Sequence, residues 1–269
     1  MNEYHEKPGL HIVTLYAQVH KLEEIEELVT KHEIKYPIAL DSFWEAGYEA
    51  PGLPKMWIIG ADGKVKFAGM AGYSKVLEEE LAKVKYPGLG KDKVHSTLEP
   101  AAKLFSEGKY KQAHDAAEKV FDDTDDSAAE DDADYIMKRI EEKLRNLKMH
   151  AETFEAERRY DRAIKCWEAL LPFKGLDDAE EAPERLKKLK DSKDVAKEIA
   201  ARRALLAEML LLDLEFAKID AGDEAQLKKF RETCLAAYKK FADANKGTAA
   251  ADRANELITI FKELLGIKE

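Results

Sequence analysis

The hydrophobic pattern of the first 85 residues alternates between short apolar runs and helical faces. Residues His11 to Gln18 form a β-branched, apolar run that predicts a buried strand. Between residues 21 and 31 the apolar side chains recur every three or four residues, which predicts an amphipathic helix. The elements expected after it are an extended piece at 36–41, strands at 55–60 and 65–68, and a closing helix at 75–84.

A turn signal joins the last two of these strands. Asp62-Gly63 tolerates the positive φ angles that a tight hairpin turn requires. We therefore expect residues 65–68 to return antiparallel to residues 55–60. The resulting order of strand, helix, extended piece, hairpin and helix predicts an α/β fold for this part of the chain.

The pattern changes after a linker at residues 85–90, and from Thr97 onward it is helical throughout. Ser192 and Thr248 are predicted N-caps, because a hydroxyl can accept a hydrogen bond from a free amide of the first turn. The predicted helices are 97–107, 109–121, 129–158, 160–171, 179–190, 193–219, 225–242 and 249–265. The sequence thus predicts two domains, 1–90 and 91–269, of which the second is all-α.

Residues 52–59, Gly-Leu-Pro-Lys-Met-Trp-Ile-Ile, followed by Asp62-Gly63-Lys64-Val65, carry a family resemblance. About residues 1–85 resemble the thioredoxin superfamily, especially its TlpA-like and peroxiredoxin-like branches, in which an apolar-Pro step opens a strand before an Asp-Gly turn. The resemblance implies an incomplete thioredoxin-like fold. It also implies that Pro54, preceded by Leu53, is the cis-proline that faces the active site.

The loop at residues 43–54 is rich in aromatic side chains. By the same resemblance it lies near the active-site face and could contact a substrate. Trp44 and Tyr48 are the candidates for this contact, whereas Phe43 and Trp57 are interpreted as core residues.

The cysteines do not fit thiol catalysis by this chain. The thiolate is the nucleophile in thiol–disulfide exchange, and the resemblance implies a reactive cysteine before the segment at His11. The sequence has only Cys166 and Cys234, both in helical patterns. They are interpreted as free buried thiols, with a structural disulfide as the alternative.

The resemblance further implies a strand that precedes His11 and lies in the middle of the family's sheet. Without that strand its two neighbours would leave backbone groups unpaired in the core. We expect that an upstream segment supplies this strand. The alternatives are that another chain completes the sheet or that the sheet is rearranged. Met1 to Glu6 show no signal peptide, and only the resemblance favours an extracytoplasmic (periplasmic) location.

Two copies of a small-x-Tyr-x-x-Ala turn occur in the helical part, and they resemble tetratricopeptide-like repeats. Their residues are Gly108, Tyr110 and Ala113, then Arg158 in place of the glycine, Tyr160 and Ala163. The resemblance implies that the tyrosine packs between paired helices and that the alanine permits their close approach. The alanines lie 50 residues apart rather than the roughly 34 of a regular array, so a plain α-helical bundle is the alternative.

Composition narrows the range of partners. The 269 residues carry a formal net charge of −10, which argues against nucleic acid and against an anionic membrane surface. No apolar stretch approaches the length needed to span a bilayer. A protein or peptide is therefore the expected partner, since stacked helix pairs commonly form peptide-binding surfaces.

No motif for a cofactor or a metal is evident. The seven histidines are scattered, without a Cys/His cluster or a phosphate-binding loop. The acidic run at 122–127 has the alternating oxygens of a calcium loop, but Ala128 replaces its glycine and Asp134 its bidentate glutamate. We expect a protein-interaction module without thiol catalysis; the alternative is a thiol–disulfide oxidoreductase, or a peroxiredoxin-like enzyme, whose cysteines lie in a segment missing from this sequence.

Overall fold

Helices account for 68% of the structure, and the strands are few and short. The computed structural model describes residues 4, 7, 9–16, 22–40, 56–60, 63–220 and 222–267. The strands are β1 (Thr14–Tyr16), β2 (Ile38–Leu40), β3 (Met56–Ile59) and β4 (Val65–Gly69). The helices are α1 (Leu22–Lys31), α2 (Tyr73–Leu81), α3 (Glu99–Ser106), α4 (Tyr110–Asp123), α5 (Ser127–Ala156), α6 (Tyr160–Leu170), α7 (Ala182–Asp191), α8 (Lys193–Phe216), α9 (Glu224–Ala244) and α10 (Ala249–Leu264).

The eight helices predicted after residue 97 are confirmed, and each end differs from its prediction by at most three residues. Both predicted N-caps are also confirmed. Ser192 Oγ accepts a hydrogen bond from the Val195 amide at 3.3 Å, and Thr248 Oγ1 accepts one from the Ala251 amide at 3.1 Å. These helix starts are therefore determined by local side-chain chemistry.

The described strands form two separate pairs. β1 runs parallel to β2, with Thr14 opposite Ile38. β3 runs antiparallel to β4, with Trp57 opposite Ala68, so the predicted hairpin pairing is confirmed. Gly63 in the turn has a φ of 74°, a left-handed conformation that glycine adopts without strain.

By packing, the chain divides into two compact units. The first unit comprises Met1–Lys21, Glu33–Lys148 and Ala169–Glu180, and the second comprises Leu22–His32, Met149–Glu168 and Glu181–Glu269. The expected domains, 1–90 and 91–269, stay a prediction that expression of the separate segments would test.

The core of the first unit lies around α3, α4 and the beginning of α5. Its largest fully buried side chains are Leu89, Leu98, Ile136, Ile140, Leu170 and Phe173. The Tyr135 hydroxyl donates a hydrogen bond to the Leu89 carbonyl at 2.9 Å. This bond attaches the segment before α3 to α5.

The core of the second unit is formed by α8, α9 and α10. Its larger members are Leu205, Met209, Leu212, Tyr238, Phe241 and Ile258, with Cys234 among them. The short helix α1 packs against α8, and Lys31 forms an ion pair with Asp213. Residues distant in sequence thus share one core.

Candidate functional site

The residues expected at a thioredoxin-like active-site face lie outside the described part of the chain. They are Trp44, Tyr48, Leu53 and Pro54. The predicted cis bond before Pro54 falls in the same region, and it stays a prediction. Trp57, interpreted as a core residue, is half-buried in β3.

The first copy of the repeated turn joins α3 to α4. Gly108 has a φ of 73°, and the Lys109 amide donates back to the Leu104 carbonyl at 2.9 Å. Tyr110 is the first residue of α4, and its ring stacks on Phe173 at 4.2 Å between centroids. Ala113 is fully buried one turn later. The glycine therefore allows the chain to reverse, which is the Schellman arrangement of a helix C-terminus.

The second copy joins α5 to α6 with the same backbone pattern. Arg158 has a φ of 57°, and the Arg159 amide donates back to the Phe154 carbonyl at 2.8 Å. α6 begins at Tyr160, which is half-buried, and Ala163 is fully buried. A left-handed conformation costs a residue with a side chain about 1–2 kcal/mol.

The side chain of Arg158 makes contacts that a glycine could not. Its guanidinium pairs with Glu198 on α8 and donates to the Gly247 carbonyl at 2.8 Å. The other carboxylate oxygen of Glu198 accepts from the Ala249 amide, at the beginning of α10. These contacts offset part of the conformational cost of the left-handed backbone at Arg158.

An open cleft of about 400 Å³ lies in the first unit. We call it the α4–α5 cleft, because α4 contributes Lys111, His114, Asp115 and Glu118, and α5 contributes Glu141, Leu144 and Arg145. Residues 175–178 of the connection after α6 close one side. With neutral histidine, the lining has a net charge of −3, because it carries five carboxylates (Asp115, Glu118, Glu141, Asp177 and Asp178) and two cations (Lys111 and Arg145).

His114 lies between carboxylates from both helices of the cleft. Its Nδ1 is 3.9 Å from Glu118 Oε2, and its Nε2 is 3.9 Å from Glu141 Oε1. Within the described residues, the Nδ1 atom is buried and makes no hydrogen bond. The imidazole can therefore act as a hydrogen-bond donor or acceptor, according to its tautomer.

His114, Asp115 and Glu118 each offer a ligand atom, and these atoms lie within 4.8 Å of one another. Such a group could hold a metal ion in principle. However, Lys111 already forms an ion pair with Asp115, and exposed carboxylates often gather without an ion. The cluster alone therefore assigns no metal. The sequence patterns considered above do not predict this cluster, whose only local signal is a histidine and a glutamate four residues apart on one helix.

The acidic run at 122–127 forms the end of α4 and the beginning of α5. The side chain of Asp126 accepts a hydrogen bond from the Ala128 amide at 2.9 Å. Asp134 lies inside α5, where its carboxylate pairs with Lys138 at 2.6 Å. These contacts fit an acidic helix start, since carboxylates are favourable at a helix N-terminus.

Both cysteines are free thiols in the structure; Cys234 is buried as interpreted from the sequence, whereas Cys166 is only half-buried. Burial raises the pKa of the Cys234 thiol to about 11, and burial also raises the pKa of Cys166, although Arg162 opposes this shift. A raised pKa reduces the thiolate population at neutral pH, and with it nucleophilic reactivity.

Comparisons with known proteins return no matching family model, no matching curated protein and no matching solved structure. Among the described residues, no helix combines the length and the apolar character needed to cross a membrane.

Proposed function

We propose that this chain is a protein-interaction module whose α4–α5 cleft binds a basic segment of a protein or peptide. The observation that carries the proposal is the net negative lining of the cleft, with carboxylates on both helical walls. A lysine or arginine side chain has an apolar stem and a cationic head, so it can contact Leu144 while it pairs with a wall carboxylate.

The expected affinity is moderate and sensitive to salt. The side chains of Glu118 and Glu141 are both more than half exposed, so each ion pair with a partner contributes little by itself. Several pairs formed at once would provide selectivity for positive charge, and screening would weaken them at high ionic strength.

The test measures fluorescence anisotropy of the full chain with labelled octapeptide pools of net charge +3, 0 and −3. We expect binding of the basic pool, and more than tenfold weaker binding by the double variant Glu118→Lys/Glu141→Lys. The matched control, with the same change in net charge, is Glu152→Lys/Glu232→Lys, at exposed positions on α5 and α9 outside the cleft. Equal binding of all three pools, or equal losses in the cleft and control variants, would refute the proposal.

The fold assignments are part of the same proposal. The parallel pair β1–β2 and the antiparallel pair β3–β4 support a thioredoxin-like arrangement, which would place a further strand between β1 and β3. The two turns at Gly108 and Arg158, with the same backbone pattern, support tetratricopeptide-like helix pairs.

The separation of the two strand pairs favours one second function, a thiol–disulfide oxidoreductase completed by a cysteine-bearing segment from outside this sequence. The genomic sequence upstream of Met1 tests it. An in-frame Trp-Cys-x-x-Cys stretch there would support this function, provided that the longer product reduces insulin. That activity should be lost when those cysteines are replaced by serine. The absence of such a stretch would remove it and leave the interaction module.

A further inference from the structure

Helix α8 carries apolar residues on two opposite faces. Its inner face buries Leu205, Met209 and Leu212 in the core of the second unit. On the outer face Leu211 and Leu214 are 59% and 58% exposed. Large apolar side chains gathered on an exposed face are typical of a contact surface, and the outer face of α8 has this character at Leu211 and Leu214.

The outer residues form a continuous stripe. We call Ala196, Ala200, Arg203, Ala207, Leu211 and Leu214 the outer stripe; all of them are exposed. Their spacing of three and four residues places them along one side of the helix. Before Ala207 the stripe carries two small alanines and Arg203, and after it two large leucines. Counted from Ala207, Ala200 falls opposite Leu214, a small residue against a large one, and the long side chain of Arg203 falls opposite Leu211.

The charges beside the stripe are divided in the same way. Lys197 lies next to its first half and donates to the Lys246 carbonyl at 3.1 Å, and Glu215 lies next to its second half and pairs with Lys218 at 2.6 Å. Both side chains are exposed, and exposed contacts of this kind contribute little, so either can be exchanged for a contact with another chain. At 3.6 residues per turn these two positions fall on the same edge of the stripe. One end of this edge is therefore basic and the other acidic.

We propose that a second copy of this chain packs antiparallel against the outer stripe, about a two-fold axis at Ala207. In this arrangement Leu214 of each copy lies over Ala200 of the other, and Lys197 of each copy lies within one turn of Glu215 of the other. In a parallel pair the same two charges would be about 27 Å apart along the axis, from 18 residues at 1.5 Å each. Size and charge thus both favour the antiparallel dimer.

The dimer is expected to be weak. The 24 residues of α8 span about 36 Å, and a strip about 10 Å wide gives on the order of 360 Å² for each copy. A stable interface usually buries about 800 Å² per partner. We therefore expect dissociation in the micromolar range, so the dimer forms only in concentrated solution.

The test is sedimentation equilibrium of the full chain from 5 to 500 µM at low salt, with a monomer–dimer equilibrium expected. The double variant Leu211→Lys/Leu214→Lys should weaken dimerisation more than tenfold. The matched control is Leu264→Lys/Ile267→Lys, at two exposed apolar residues at the end of the chain's last helix and just after it, which should leave the equilibrium unchanged. A chain that stays monomeric at 500 µM, or a dimer that the double variant preserves, would overturn the proposal.

Charge exchange tests the antiparallel geometry separately. Lys197→Glu and Glu215→Lys should each weaken the dimer, because each places like charges together. The combined variant should restore it, since the pair re-forms with reversed sign. Failure of this restoration would refute the antiparallel register. Helical circular dichroism of every variant should match the wild type, because these positions are exposed.

Discussion

Replacing Glu198 by alanine should destabilise the second unit. Its side chain is only 8% exposed, and it accepts a hydrogen bond from the Ala249 amide at 3.1 Å while it pairs with Arg158. An unsatisfied buried amide costs about 1–3 kcal/mol, and because Ala249 is half-buried, the loss here is expected in the lower part of that range. The side chain of Arg158 is 39% exposed, so water replaces much of that pair, which adds at most about 1 kcal/mol. We expect a total loss of roughly 1–3 kcal/mol.

Urea unfolding followed by tryptophan fluorescence measures this loss, since Trp167 is fully buried in the same unit. With a slope of about 2–3 kcal/mol per molar, the midpoint should fall by roughly 1 M. Glu198→Gln retains an acceptor for the amide and should lose about half as much. Glu232→Ala, at an exposed site on α9, is the control and should change little. A midpoint for Glu198→Ala within 0.2 M of wild type, an interval of roughly 0.5 kcal/mol, would show that the carboxylate does not stabilise this unit.

Three further predictions concern single positions. Gly108→Ala should lower the free energy of unfolding by about 1–2 kcal/mol in urea; because the added Cβ meets nothing within 4 Å, this cost is conformational. Gly108→Asn should lose less, since asparagine tolerates the left-handed conformation. Equal losses for the two variants would contradict a purely conformational cost. Thr248→Ala should cost about 1 kcal/mol through the lost N-cap, whereas Thr248→Ser should retain most of the stability. Burial raises the pKa of Cys234 to about 11, whereas the same thiol in the unfolded chain loses its proton near pH 8.5. The free energy of unfolding should therefore fall as pH rises from about 9 to 11. An equally steep fall in Cys234→Ala would assign the effect to other groups.

The helices could be predicted because their signals are local. Apolar periodicity and cap residues such as Ser192 and Thr248 act within a few positions, and the structure confirms them. The hairpin strands were predicted to within one residue, but the extent of β1 was less predictable, because it depends on the length of its partner strand. The run predicted over 11–18 pairs with β2 only at Thr14–Tyr16 among the described residues.

The candidate site was less predictable than the helices. His114 and Glu141 lie 27 residues apart, and tertiary packing brings them to 3.9 Å. The buried Glu198 could not be identified either, because its partners Arg158 and Ala249 are 40 and 51 residues away. The sequence did indicate that Arg158 replaces a glycine, but not that its side chain links three segments.

The link that the Arg158 side chain forms affects how cooperatively the second unit opens. The turn at Gly108 has no side chain at its left-handed position to contact another helix, so its amides can exchange with solvent through brief local opening. The turn at Arg158 is connected to α8 through Glu198 and to the Gly247 carbonyl before α10. Opening it requires these contacts to break, so amide exchange there should follow the unfolding of the whole second unit. Two turns with the same backbone pattern would thus differ in protection because of one side chain.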